Sequence, residues 1–170
     1  MIRSVLAASA ALLAVAGAAQ AQDTTLSAGW ERADFDGIEF DTAVVRGAYF
    51  FNENFGIEGQ VNIGITDEEI DVLGTPVDVS LDYGFGGFVV GRFASSENFN
   101  LLGRLGYIHA EVDADVAGIT VSEDDGAFAA GIAAEWFLDE ANGVRFDYTY
   151  ADYEDSVSFY GVSYVRRFGG

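Results

Sequence analysis

Alternation with a period of two, sustained over one segment after another, is the feature that most constrains this chain. Between Phe55 and Thr66 one face holds Phe55, Ile57, Gly59, Val61, Ile63 and Ile65, and the other holds Gly56, Glu58, Gln60, Asn62, Gly64 and Thr66. Further on, Val144, Phe146, Tyr148 and Tyr150 alternate with Arg145, Asp147, Thr149 and Ala151. Side chains of a strand point to two faces in turn, whereas a helical repeat would scatter these residues around a cylinder. Both stretches therefore read as strands. Eight such segments are expected, at Thr24–Phe35, Thr42–Phe51, Phe55–Thr66, Val79–Phe93, Phe99–Val112, Gly126–Leu138, Gly143–Asp152 and Val157–Phe168.

The connections alternate in character. Asn52-Glu53-Asn54, Ala94 to Asn98 and Asp139 to Asn142 are short and rich in turn formers. Asp36 to Asp41, Asp67 to Asp78, Asp113 to Asp125 and Tyr153 to Ser156 are acidic, mostly longer, and expected as loops. Short turns at one end, longer loops at the other and an even strand number describe a transmembrane β-barrel. The expected fold is thus all-β, an eight-stranded antiparallel up-and-down transmembrane barrel.

Ahead of the strands lies an export signal. Arg3 forms a positive start, Val5 to Ala16 is apolar, and Ala19-Gln20-Ala21 is a small-residue cleavage site. The run falls short of the roughly 20 apolar residues a membrane helix needs. Two parts are expected, a cleavable signal peptide at 1–21 and the barrel at 22–170. No Cys follows the cleavage site, so lipidation of the bacterial lipoprotein kind is not expected.

Alternation alone does not say which face points outward, and composition enters here. The outward candidates are bulky (Leu81, Phe85, Val89, Phe128, Ile132, Trp136), while many of the opposite positions are Gly or Ala. An eight-stranded barrel has an interior just wide enough for side chains to fill, so bulk belongs outside. Charge agrees. The chain carries 8 basic against 28 acidic residues, every basic one an Arg, for a net charge of −20. Yet the polar faces hold a balanced set: Glu31, Arg46, Glu58, Asp82, Arg92, Arg104, Glu135, Arg145, Asp147 and Arg167. Buried charges are tolerated when paired, so these ten are expected to form a luminal ion-pair network. Arg104 is taken inward because an Arg facing mid-bilayer lipid costs ~2–4 kcal/mol. Aromatics fall where girdles belong, with Phe51, Phe55, Phe93, Phe99, Trp136 and Phe168 near the short turns and Tyr83, Phe128, Tyr150 and Tyr160 near the acidic connections.

With these features the sequence resembles the small eight-stranded outer-membrane barrels, the porin-family group that includes the OmpA transmembrane domain, OmpX/Ail and the opacity-type proteins. The last strand, Ser158 to Phe168, looks like the terminal assembly signal of such proteins, with Gly161, Tyr164 and Phe168 in matching roles. It departs from that pattern because Gly169-Gly170 follow the aromatic and Arg166 lies in the lipid-facing register. The resemblance implies the outer membrane of a Gram-negative bacterium, periplasmic termini, acidic loops outside, and contact with the barrel-assembly machinery, outer-membrane lipids and lipopolysaccharide.

Other chemistry is thinly represented. The strong acidity argues against nucleic acid as a partner, and no cofactor is expected. Without Cys there is no disulfide, thiolate zinc site or thiol catalysis. His109 is the single histidine; Glu111 shares its face, and only cross-strand serines such as Ser80 or Ser122 would complete a catalytic set. A local rim role is expected instead. Asp113 to Asp124 imitates part of a calcium loop, but Ala117 occupies position 5, Asp124 replaces the closing Glu, and the flanks are strands. Asp67, Glu68, Glu69, Asp71, Asp113, Asp115, Glu123, Asp124 and Asp125 remain candidate ligands for divalent cations shared with lipopolysaccharide phosphates. The expected function is a non-enzymatic integral outer-membrane protein serving envelope integrity or surface interaction, its surface ligand unnamed by the sequence. The alternatives are a small porin-like channel and a lipid A-modifying enzyme.

Overall fold

The computed structural model describes the backbone of residues 23–35, 38–72, 75–116, 119–153 and 156–169. Side chains are described at these positions except 38, 67–72, 75–82, 111–116 and 119–124. The leader read at 1–21 lies outside the described residues.

The described chain is all strand: β1 (Thr24–Phe35), β2 (Ile38–Phe50), β3 (Phe55–Gly64), β4 (Asp67–Val72), β5 (Thr75–Ser96), β6 (Phe99–Val116), β7 (Ile119–Phe137), β8 (Asn142–Asp152) and β9 (Val157–Phe168). Every pairing is antiparallel, in the order β3-β2-β1-β9-β8-β7-β6-β5-β4, and β3 also pairs with β5. That last pairing closes the sheet. β3 and β4 lie on the same edge of β5, separated by Ile65 and Thr66, so they share one of eight positions around the wall. Closure lets every wall strand pair on both sides, the condition for crossing a bilayer with strands.

Three of the expected loops are largely strand where they are described. Residues 67–72 form β4 and 75–78 the start of β5, with Val72 opposite Thr75; 113–116 and 119–125 extend β6 and β7, with Val116 opposite Ile119; and 38–41 belong to β2. The physical reason is alternation that the carboxylates conceal: β-branched Ile70, Val72, Val77 and Val79, then Val112, Val116, Ile119 and Val121, punctuate the acidic residues. The two ends of the barrel therefore differ in how far the hairpins run, rather than in loop length. β5 carries register shifts between Leu81 and Tyr83 and between Arg92 and Ala94, which place Asp82 and Phe93 at bulges.

The outer wall is apolar. Ile57, Ile63, Val89, Leu105, Ile132 and Phe146 are exposed on it, and Phe51, Phe55, Phe93 and Trp136 ring its short-turn end. The inside holds the charged and amide side chains together with Phe40, Phe50, Phe88, Phe137 and Phe159. Those buried rings were not expected, although adjacent pairs such as Phe50-Phe51 and Phe159-Tyr160 must send one ring to each face of a strand.

Candidate functional site

The interior is built by inward-facing positions of every strand that crosses the wall, and its middle is ionic. Glu31, Arg46, Glu58, Arg104, Glu135, Arg145 and Asp147 are all at most 6% exposed. Glu58 takes two arginines at once, Arg145 Nη1 at 2.5 Å and Arg104 Nη2 at 2.8 Å. Asp147 accepts from Arg145 Nε at 2.7 Å and lies 3.5 Å from Arg46 Nη1. Arg46 also pairs with Glu31. Glu135 is held more loosely, 3.7 Å from Arg145, and accepts from Asn100 Nδ2 at 3.0 Å. Charges this deep cost several kcal/mol each in desolvation, which only close opposite charges and further hydrogen bonds repay.

Neutral amides supply those further bonds, and the sequence reading passed them over. Gln60 Oε1 accepts from Arg104 Nη2 at 2.7 Å and from Arg46 Nε at 3.2 Å, while its Nε2 donates to Asn62 Oδ1 at 2.7 Å. Asn62 donates to Glu31 Oε1 at 2.7 Å. Gln60 and Asn62 share the inward register with Glu58, and that parity was the available signal.

Two arginines expected in the network sit apart from its centre. Arg92 bonds Asp23 at 2.6 Å and the Glu53 carbonyl at 3.1 Å, with its guanidinium 3.7 Å above the Phe50 ring. Arg167 lies 3.8 Å over the Phe137 ring. Both are near the short-turn end, where the last residues of β2 and β7 place Phe50 and Phe137 inside. A cation over an aromatic face is stabilised by the ring quadrupole, so a partly open mouth suits these residues. Arg104 makes a third such stack in the middle, 3.9 Å over Phe88. The Asp82 side chain lies outside the described residues.

The candidate enzymatic and cation positions are not gathered into a site among the described residues. The His109 ring faces the outer wall, 4.9 Å from the Phe85 ring. Ser80 and Ser122 both register with Asp113, four residues along the strand from His109 and so roughly 13 Å away. The side chains of Asp67, Glu68, Glu69, Asp71, Glu111, Asp113, Asp115, Glu123 and Asp124 lie outside the described set. Asp125 is exposed and accepts from the Gly126 N–H at 2.7 Å. No group of three or more acidic, His or Cys side chains is poised for a metal among the described residues. Beside Asp125, burial pushes the Tyr153 hydroxyl above its ordinary range, with the Asp125 carboxylate adding to the effect.

A closed wall that is apolar outside and ionic inside is the frame against which known proteins compare. The outer membrane protein beta-barrel domain model matches residues 5–168. The chain belongs to the outer membrane protein β-barrel domain family. Membership places it in the outer membrane of a Gram-negative bacterium. Solved barrels of this kind share the fold. Ail, the attachment invasion locus protein of Yersinia pestis, was solved in complex with the heparin analogue sucrose octasulfate. It superposes with a TM-score of 0.66 at 19% identity, over 88% of this chain and 100% of Ail. OprG of Pseudomonas aeruginosa gives 0.71 at 13% identity, over 88% and 97% of the two chains. The N-terminal β-barrel domain of OprF from the same organism gives 0.63 at 9%, over 87% and 98%. No curated protein sequence matches the chain.

Proposed function

We propose that this outer-membrane barrel is non-enzymatic and closed along its axis by its own side chains, serving envelope integrity or surface interaction through its exterior. The seven-residue buried ionic cluster carries this reading. Its side chains cross the lumen from β1, β2, β3, β6, β7 and β8, and rings close in on either side. Phe40 and Phe159 lie toward the long hairpins, Phe50 and Phe137 toward the short turns. A barrel of eight strands leaves no room for a wide aqueous path beside such a filling, since open pores use roughly 16–18 strands. The acidic hairpin strands are the surface offered to partners, either directly or through divalent cations shared with lipopolysaccharide phosphates.

Planar-bilayer recording of the refolded protein tests the reading. A silent bilayer is expected; a reproducible open state of substantial conductance would overturn it. The leader is proposed to be removed in transit, so N-terminal sequencing of protein taken from outer membranes should begin at Gln22.

A further inference from the structure

Glycine weakens a strand, and usually something in the fold requires it. Most of the described strand glycines here have such a reason. A Cβ at Gly29, Gly106, Gly131 or Gly143 would collide with a neighbouring carbonyl oxygen, and one at Gly103 or Gly126 would enter the ring of Phe93 or Tyr107. Gly59 and Gly87 differ. Both face outward, a Cβ on either would meet nothing within 4 Å, and neither has a positive φ. They stand directly opposite each other on β3 and β5, and Gly59 is also opposite Gly47 on β2. Bulky outward side chains stand around them, and between these the barrel is left with an open hollow of about 930 Å³. Its floor is these glycines, and its sides include Tyr49, Ile57, Val89, Phe85, Tyr107 and Phe128.

We propose that this hollow is a seat for one acyl chain of a zwitterionic phospholipid from the periplasmic leaflet. A strand glycine with no use inside the protein marks a place where something outside it comes close to the backbone. The wall faces hydrocarbon, so that visitor is apolar and membrane-borne, and the volume lies within the roughly 300–1,000 Å³ of sites that enclose small apolar ligands. A second copy of the chain seated there would appear in the test below as a dimer without lipid, which would overturn the proposal. Charge selects the leaflet. Toward the outer face, residues 67–81 and 111–125 hold eleven carboxylates and no basic residue, which repel a phosphate-bearing head group unless a divalent cation bridges the two. At the periplasmic end the nearest turn, Asn52-Glu53-Asn54, carries one charge, which an ammonium-bearing head accommodates.

Native mass spectrometry and lipid extraction of the full chain, purified from outer membranes in mild detergent, test the seat. Wild-type protein should retain about one phospholipid per barrel, and Gly59→Leu/Gly87→Leu should lower that at least about fivefold by filling the hollow. Ala28→Leu adds outward bulk on β1, away from the groove, and should leave retention unchanged. Heat-modifiable gel migration reports folding of each variant; should the double variant not assemble, Gly59→Val alone carries the comparison. Equal phospholipid in wild type and groove variants, none in wild type, or lipid A in its place would each overturn the proposal. Retention can fail while the bilayer stays silent, so this test and the conductance test fail separately.

Discussion

Glu58 shows how single residues hold the interior. It is nearly inaccessible and answers two guanidiniums, so Glu58→Ala leaves Arg104 and Arg145 facing each other without their shared counter-charge. Breaking a buried pair in this way costs ~3–5 kcal/mol, which should appear as a lower urea midpoint for the protein refolded in detergent. Arg92→Ala removes a cation–π stack and an ion pair at a partly open mouth, where the stack is worth about 0.5–2 kcal/mol, and the midpoint should fall less. If the two variants unfold alike, the central cluster has no special weight. Asp139, in the β7–β8 turn, makes a prediction about acidity. The Asn142 side-chain amide, and then the backbone N–H groups of Ala141 and Asn142, donate to its carboxylate and hold it below the ordinary range. A depressed folded value means that these bonds stabilise the turn above the unfolded carboxylate value of about 3.9, and that this is lost as pH falls through the lower folded value. Amide signals of Ala141 and Asn142 should therefore titrate with a midpoint below the ordinary carboxylate value; a midpoint at or above that value contradicts the geometry.

Between strands, backbone proximity decides which substitutions a sheet can absorb. A Cβ at Gly106 would strike the Gly87 carbonyl oxygen on the paired strand, so Gly106→Ala should prevent or weaken β5–β6 pairing and reduce the fraction of heat-modifiable barrel. Gly59→Ala, with open space around it, should assemble normally. The individual strands were largely legible in the sequence, because period-two alternation is imposed by the strand itself and by lipid on one side. What escaped was set by partners far along the chain. The hairpin extensions hid behind carboxylates that resemble loop residues until their β-branched neighbours find cross-strand partners. The neutral links Gln60, Asn62 and Asn100 carry no charge to flag them, and their worth appears only once Arg46, Arg104 and Glu135 converge from other strands. Phe88 faces inward by the same alternation that sends Phe85 and Val89 outward, and only its stacking partner Arg104, from another strand, is missing from the local pattern.

Taken as a whole, the molecule places grease against lipid and pairs its buried charges at the axis. Heat-modifiable migration in denaturing gels should accompany the protein from outer-membrane fractions, since a closed barrel resists detergent until heated; migration unchanged by boiling would argue against closure. The seam has its own consequence. Adjacent wall strands are joined by local connections, except where β1 meets β9 over twelve residue pairs, from Thr24 with Phe168 to Phe35 with Val157. That contact spans nearly the full described chain and sets when the cylinder can shut. No intermediate length of polypeptide yields a smaller working version: a chain halted before β9 is a curled ribbon with two unsatisfied rims, exposed to whatever other rim it meets first. Until its last strand pairs with β1, the wall therefore has no smaller closed form in which to rest.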